Sequence, residues 1–304
     1  TPKYCVMVNA ADFNHIEKNN YALKGLFKPS KESKISMVRV AVNFNDFERS
    51  KHLSSFLNSL GYEVAINLMQ AHSKDEDHYV NVAKEIDKWK TVDVLYFADS
   101  FGSMDSKEVS IIAENLRKGW TKQIGFHSHN NMGRALENSL QAVSSGLDWV
   151  DSTIKGMGRG AGNTQTEKLL KNLSNLGLHG GDYSNLKEIE KDFSFLKKKF
   201  KWGSNEHYKY ASLKSIHPTY VQNLLAEERY TSKQIKEILI ELSQKGSTSY
   251  DPDELIEVVY HENKKSAVDG GWNASGWLKD QEVLLIGPGR SVREHKDKLE
   301  EYIK

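Results

Sequence analysis

Residues 93–99, Asp93-Val94-Leu95-Tyr96-Phe97-Ala98-Asp99, place an unbroken apolar run between two aspartates. A run this short, apolar at alternate and intervening positions alike, fits a strand buried on both faces, as in a parallel sheet. A polar turn follows, and then an amphipathic stretch from Ser106 to Trp120, with Asp105 or Ser106 placed to cap it. The same unit recurs on either side. Upstream, strands are expected at Tyr4–Asn9, Met37–Phe44 and Glu63–Gln70, with helices at Asp46–Leu60, capped by Asp46, and Lys74–Trp89. Downstream come strands Gln123–His129 and Trp149–Ile154 and helices Met132–Ser145 and Thr164–Leu176. In the helix before Gly146, the stripe Met132, Leu136, Leu140 and Val143 is read as core. Each unit takes roughly 30 residues, the length of a strand plus its crossover helix. Such alternation implies a parallel sheet with helices outside it. A closed barrel of this type needs eight strands. Only six are read here, so either the sheet is open or two βα units precede Thr1.

The pattern changes near Gly180. Residues 1–179 read as the partial barrel and residues 180–246 as a helical extension, with helices at Lys187–Phe200, Tyr208–Leu225 and Ser232–Gln244. Residues 247–304 read as an irregular linker, with a short helix at Asp253–Tyr260, and the start of a second α/β, Rossmann-like domain. That last reading rests on the strand Val283-Leu284-Leu285-Ile286, the loop Gly287-Pro288-Gly289-Arg290-Ser291 and the helix Val292–Ile303. The loop could serve a phosphate-bearing ligand, or need its glycines for geometry alone.

Composition narrows the function class. Of 304 residues 38% are hydrophobic and 27% charged, with a net charge of +1. No charge excess points to nucleic acid or to an anionic membrane surface. The single cysteine, Cys5, cannot form an internal disulfide and is read as a core residue, so a reducing, cytoplasmic setting is the expectation. No apolar run reaches the length of a membrane span.

Residues able to do chemistry gather at the ends of these strands. In Phe126-His127-Ser128-His129-Asn130, alternation puts both imidazoles on one face, within reach of one cation. The C-terminal end of a barrel strand is where such folds place their sites. A His-x-His by itself is as readily two half-exposed histidines. Next comes Gly156-Met157-Gly158-Arg159-Gly160-Ala161-Gly162-Asn163, a loop whose backbone can approach a ligand closely and which opens a helix. Arg159 could grip a carboxylate or phosphate, or be a solvated loop charge. Asn43, Asn67 and Gln70 end strands and could line a pocket or bond to strand and loop backbone. Asp99 could contact a metal-bound water or orient a histidine, or cap the turn after its strand. His217-Pro218 reads as a helix start.

Taken with Gly146-Leu147-Asp148-Trp149-Val150-Asp151-Ser152 and Glu167, these segments resemble the 4-hydroxy-2-oxovalerate aldolase family. The wider group of metal-dependent lyases and synthases includes HMG-CoA lyase and isopropylmalate synthase and has a pyruvate carboxyltransferase-type barrel. Val38-Arg39-Val40-Ala41-Val42-Asn43 and Tyr96-Phe97-Ala98-Asp99-Ser100-Phe101-Gly102 agree with it, and the likeness runs from about Tyr4 to Gly177. The resemblance implies a (β/α)8 TIM barrel lacking its first two βα units in this chain, with a helical C-terminal extension. It implies a divalent metal, Mn or Mg, held by His127 and His129, with Asn163 added in some members. The implied substrate is a small keto acid, and the strand-end and loop residues Asn43, Asn67, Gln70, Gly158, Arg159 and Gly160 are the candidates to bind it. Asp99 and Tyr208 are the candidate catalytic residues, the tyrosine because related aldolases take one from the helical extension. The implied activity is carbon–carbon cleavage or formation in a 4-hydroxy-2-keto acid, and the implied assembly is a homo-oligomer. The family's first-strand motif, an aspartate followed by Thr-Leu-Arg-Asp-Gly, occurs nowhere in the sequence, and Tyr4–Asn9 matches the third strand. An acyl-CoA-dependent synthase of the isopropylmalate type and a non-catalytic barrel relative are the competing readings.

Overall fold

The computed structural model describes residues 3–13, 23–178, 183, 185–227, 229–266 and 295–303. Six strands, β1 (Tyr4–Asn9), β2 (Ile35–Asn43), β3 (Glu63–Met69), β4 (Val94–Asp99), β5 (Gln123–Ser128) and β6 (Trp149–Val150), form one sheet in chain order. Every neighbouring pair is parallel. The helices between them are α1 (Ser50–Ser59), α2 (Glu76–Trp89), α3 (Ser106–Arg117) and α4 (Ala135–Ser144), and α5 (Thr166–Asn175) follows the last strand. This is the serial βα order of a TIM barrel, with an open sheet of six strands among the described residues. Contacts divide the chain into two compact units, residues 1–262 and 263–304.

Side-chain alternation sorts the strands into two faces. Val38, Val40, Val64, Ile66, Leu68, Leu95, Phe97, Ile124 and Phe126 are buried in the main core beneath the helices. The intervening residues Met37, Ala65, Val94 and Tyr96, with Trp149, form a smaller cluster on the concave face. β4 is buried at all six positions, as its unbroken apolar run implied. Register then aligns the concave positions, with Arg39 beside Ala65, Asn67 beside Tyr96, Tyr96 beside Gly125 and Gly125 beside Trp149. Gly125 leaves room for its neighbour, since a Cβ there would lie 2.4 Å from the Tyr96 ring. Tyr96 can therefore lie across β5, and Arg39 stacks on it with its guanidinium carbon 3.8 Å from the ring centroid.

Several local expectations change. Asp46 does not cap α1. Asn43 accepts from the Asn45 N–H to start a 3-10 segment, Phe44–Arg49, and α1 follows it with no side-chain cap. Asp105, not Ser106, caps α3 by accepting from Glu108 N. α4 starts three residues later than expected and buries Ala135, Asn138, Ser139 and Ala142 in place of the leucine stripe. Small and polar groups let it pack closely, with Ser139 Oγ 2.7 Å from Thr164 Oγ1 and Asn138 Nδ2 donating to the Met104 carbonyl at 2.9 Å. Cys5 is exposed on β1 and is not a core residue.

Beyond the sheet lie α6 (Leu186–Phe200), α7 (Glu206–Leu213), α8 (Pro218–Ala226), α9 (Ser232–Lys245) and α10 (Pro252–Ser266). The single helix expected over Tyr208–Leu225 is two. Ser215 takes a positive φ of 53°, and Pro218 then opens α8 at its first turn, where its missing N–H costs nothing. Tyr208, Ala211, Ile216, Tyr220, Val221, Leu224, Ile235, Ile238, Leu239, Leu242 and Val258 form a second core, joined by Ala161 of the glycine loop. In the other unit α11 (Lys296–Ile303) is helical. The strand Val283–Ile286 and the loop Gly287–Ser291 lie outside the described residues. Among the described residues no helix is long and apolar enough to cross a membrane.

Candidate active site

A cavity of about 980 Å³ opens at the C-terminal ends of the strands, where Asn43, Asn67, Gln70, His127, His129, Arg159 and Asn163 all reach its wall. His127 and His129 stand on the concave side, as alternation requires, with ring centroids 4.9 Å apart and planes at 85°. An antiparallel bridge between His129 and Asn163 brings the end of the glycine loop alongside.

His127 is held from behind. Its Nδ1 lies 2.8 Å from Asp151 Oδ2, and the same oxygen accepts from Arg39 Nη1 at 2.6 Å. Arg39 Nη2 donates in turn to Asn67 Oδ1 at 3.0 Å. Burial pushes the Asp151 carboxyl pKa upward, but the His127 hydrogen bond and the Arg39 charge outweigh it and hold it below the ordinary value. An ionised carboxylate can only accept, so His127 carries a proton on Nδ1, which leaves Nε2 as the nitrogen able to ligate a cation. A carboxylate behind a histidine is the usual support of a metal-binding imidazole. Burial holds the His129 pKa well below that of free histidine, helped by the charge of Arg159, so this ring is neutral. Asn163 donates from Nδ2 to the Met157 carbonyl at 3.3 Å, and its buried Oδ1 has no partner.

Two imidazoles and an orphaned amide oxygen fit a divalent cation with open coordination positions. Among the described residues no cluster of three histidine, cysteine, aspartate or glutamate side chains is placed to hold a metal, at this cavity or elsewhere, so the fit rests on the two imidazoles and the amide oxygen. The remaining positions would fall to water or substrate oxygens.

Other candidates stand elsewhere. Asp99 follows Leu95 and Phe97 onto the helix side of β4, away from the cavity. Its carboxylate accepts from the backbone N–H of Ser103 at 2.9 Å and of Met104 at 3.2 Å, which pins the turn after the strand. Burial pushes its pKa up to about 7 against the pull of those donors. Over the interval from the ordinary carboxylate value to about 7, the folded chain holds a proton that the unfolded chain has lost. Asp99 therefore contributes most stability at low pH and loses it as pH rises through that interval. Urea denaturation should show a drop in stability between pH 5 and pH 8, and Asp99→Asn should flatten it. An unchanged slope in the variant would remove Asp99 as the cause.

Tyr208 does not line the cavity. It is buried behind the glycine loop, and burial pushes its hydroxyl up to about 12. It serves the loop by contact: a Cβ on Gly160 would lie 2.9 Å from its ring. The segment before it clamps the same loop. Trp202 Nε1 donates to the Lys155 carbonyl at 3.0 Å, Gly203 N to the Gly160 carbonyl at 3.1 Å, and Ser204 Oγ to the Asn131 carbonyl at 2.6 Å. Asn43 Nδ2 donates to Gln70 Oε1 at 2.9 Å on the opposite wall. His217 caps α8 and also lines the cavity, its pKa lowered to about 4 by burial and by Arg159.

Sequence reading missed Arg39 and Asp151. The available signal was an arginine inside Val38-Arg39-Val40, a charge that a buried strand carries only with a partner.

Comparison with known proteins places this geometry. The chain is 36% identical over 152 residues to the 4-hydroxy-2-oxovalerate aldolase of Geobacillus genomosp. 3, which is 50% of this chain and 45% of that protein. It is 27% identical over 229 residues to the protein of that name from Carboxydothermus hydrogenoformans, covering 75% and 68% of the two chains. The chain thus spans about half of the first relative's length. Among solved structures, the N-terminal domain of an aldolase-named protein from Bacteroides vulgatus superposes with a TM-score of 0.65 at 29% identity, over 75% of this chain and 74% of that one. The carboxyl transferase domain of Rhizobium etli pyruvate carboxylase gives 0.70 at 16% identity, over 95% of this chain and 51% of that one, a likeness of fold. The HMGL-like profile matches residues 30–192, more than half of the sequence and all of the segments that carry His127, His129, Asp151 and Asn163. The chain belongs to the HMGL-like family.

Proposed function

We propose that this chain carries the cation-holding wall of a divalent-metal-dependent aldolase acting on a 4-hydroxy-2-keto acid. The observation that carries the reading is the convergence of His127, His129 and Asn163 on one cavity, with an unpartnered Asn163 Oδ1 and with His127 Nδ1 held by Asp151. The names of the relatives support the reaction class.

His127 Nε2, the neutral His129 ring and Asn163 Oδ1 would hold Mn or Mg. When bound, the cation supplies Lewis-acid polarisation of a 2-keto carbonyl and stabilises the charge that develops as the carbon–carbon bond breaks. The chain's own residues set up that environment. Asp151 and Arg39 fix the His127 ring, so no reorganisation is needed when charge appears. The amides of Asn43, Asn67 and Gln70 give the far wall donors and acceptors suited to the hydroxyl and carbonyl oxygens of the substrate. A small keto acid is the proposed partner.

The test is pyruvate release from 4-hydroxy-2-oxovalerate, followed by coupled lactate dehydrogenase. Release should vanish on chelation and return with Mn(II) or Mg(II). Turnover that survives exhaustive chelation contradicts the metal-dependent reading, and absence of turnover with every metal contradicts the aldolase reading.

A further inference from the structure

Among the described residues, the permanently charged side chains lining the cavity are Arg39, Asp151 and Arg159. The first two neutralise each other at 2.6 Å. Arg159 has no such partner. Desolvation depresses its pKa, and among the described residues no carboxylate pairs with it. It shares the cavity wall with His127, His129 and His217, which sets it at the proposed cation site.

The backbone under Arg159 is fixed. Gly162 N donates to the Arg159 carbonyl at 3.0 Å, and Gly203 N donates to the Gly160 carbonyl at 3.1 Å. Gly160, with φ of 60°, lies flush on the Tyr208 ring. A long cationic side chain thus rises from a clamped root, exposed to the cavity's solvent. A solvated loop charge needs no such clamp. A receptor for an anion does, because the guanidinium fork gains from bidentate contact only if its origin is held.

We infer that Arg159 is the carboxylate-binding residue of this cavity, so that ligands enter as anions with their carboxylate on its guanidinium and their reactive end toward His127 and His129. It is thereby a specificity-determining residue, selecting 2-keto acids over neutral ketones and aldehydes. The choice of pyruvate as probe rests on the aldolase reading; the carboxylate contact does not.

The test is calorimetric titration of pyruvate, and separately of Mn(II), into the wild type, Arg159→Gln, Arg159→Lys and His127→Ala. Loss of a charge-assisted contact predicts about 10- to 100-fold weaker pyruvate binding in Arg159→Gln. Arg159→Lys should fall between it and the wild type. Arg159→Gln should bind Mn(II) no more weakly than the wild type, because a nearby positive charge is removed, which shows that the loop is intact. Equal pyruvate affinity in wild type and Arg159→Gln overturns the inference, as does a wild type that binds no pyruvate at millimolar concentration. The two readings fail separately. Arginine-dependent pyruvate binding without any Mn(II) binding refutes the aldolase and leaves Arg159 in place. Metal-dependent turnover with arginine-independent pyruvate binding does the reverse.

Discussion

His127→Ala is expected to weaken Mn(II) binding by at least about 100-fold and to abolish metal-dependent turnover, while leaving the fold intact. The magnitude exceeds the 10- to 100-fold typical of losing a supporting residue, because a ligand itself is removed. Stability should change little. His127 is only partly buried, and its side-chain hydrogen bond is to the Asp151 carboxylate, which keeps Arg39. Calorimetry with Mn(II), paired with urea denaturation, measures both quantities. Wild-type metal affinity in the variant would show that the cation, if bound, sits elsewhere.

Asp151→Ala should act on stability and on metal together. Arg39 and Asp151 keep only 13% and 25% of their side-chain surface exposed. Removing the carboxylate leaves Arg39 with Asn67 and the Tyr96 face, while its buried Nε already lacks a partner. Leaving a largely buried charge unpaired costs about 3 kcal/mol. His127 also loses the acceptor that fixes its tautomer, so Mn(II) affinity should fall about 10- to 100-fold. The two effects separate in Arg39→Met/Asp151→Ala. With no stranded charge, the double variant should recover most of the stability, because an apolar replacement of a buried pair is often neutral. It should not recover the metal affinity. Urea denaturation and calorimetry decide. Recovery of both would reduce the pair to a packing device. Because the Asp151 pKa is depressed, the pair's contribution persists at neutral pH and is lost only as pH falls below the ordinary carboxylate value of 3.8.

The barrel strands and the histidine pair were legible because both depend on local periodicity. Alternation at 127 and 129 fixes a shared face whatever the strand's neighbours are. The same rule, carried through Leu95, Phe97 and Asp99, turns Asp99 toward the helices, so its assignment to the site failed on a parity that the sequence already contained. Tyr208 was misplaced for a different reason. Its contact with Gly160 depends on how the helical layer docks on the loop, which no local pattern encodes. Arg39 and Asp151 lie 112 positions apart and meet only because β2 and the end of β6 share the concave face. The α4 stripe failed because apolar periodicity marks a helix without saying that the sheet wants small residues at its contact.

The central claim is that two imidazoles of one strand bind one cation, and electron spin echo modulation of Mn(II)-loaded protein tests it most directly. Modulation from two directly bound imidazole nitrogens is expected in the wild type, with a single one left in His127→Ala. Mn(II) bound with no nitrogen coupling, or with coupling unaltered by that substitution, would contradict it.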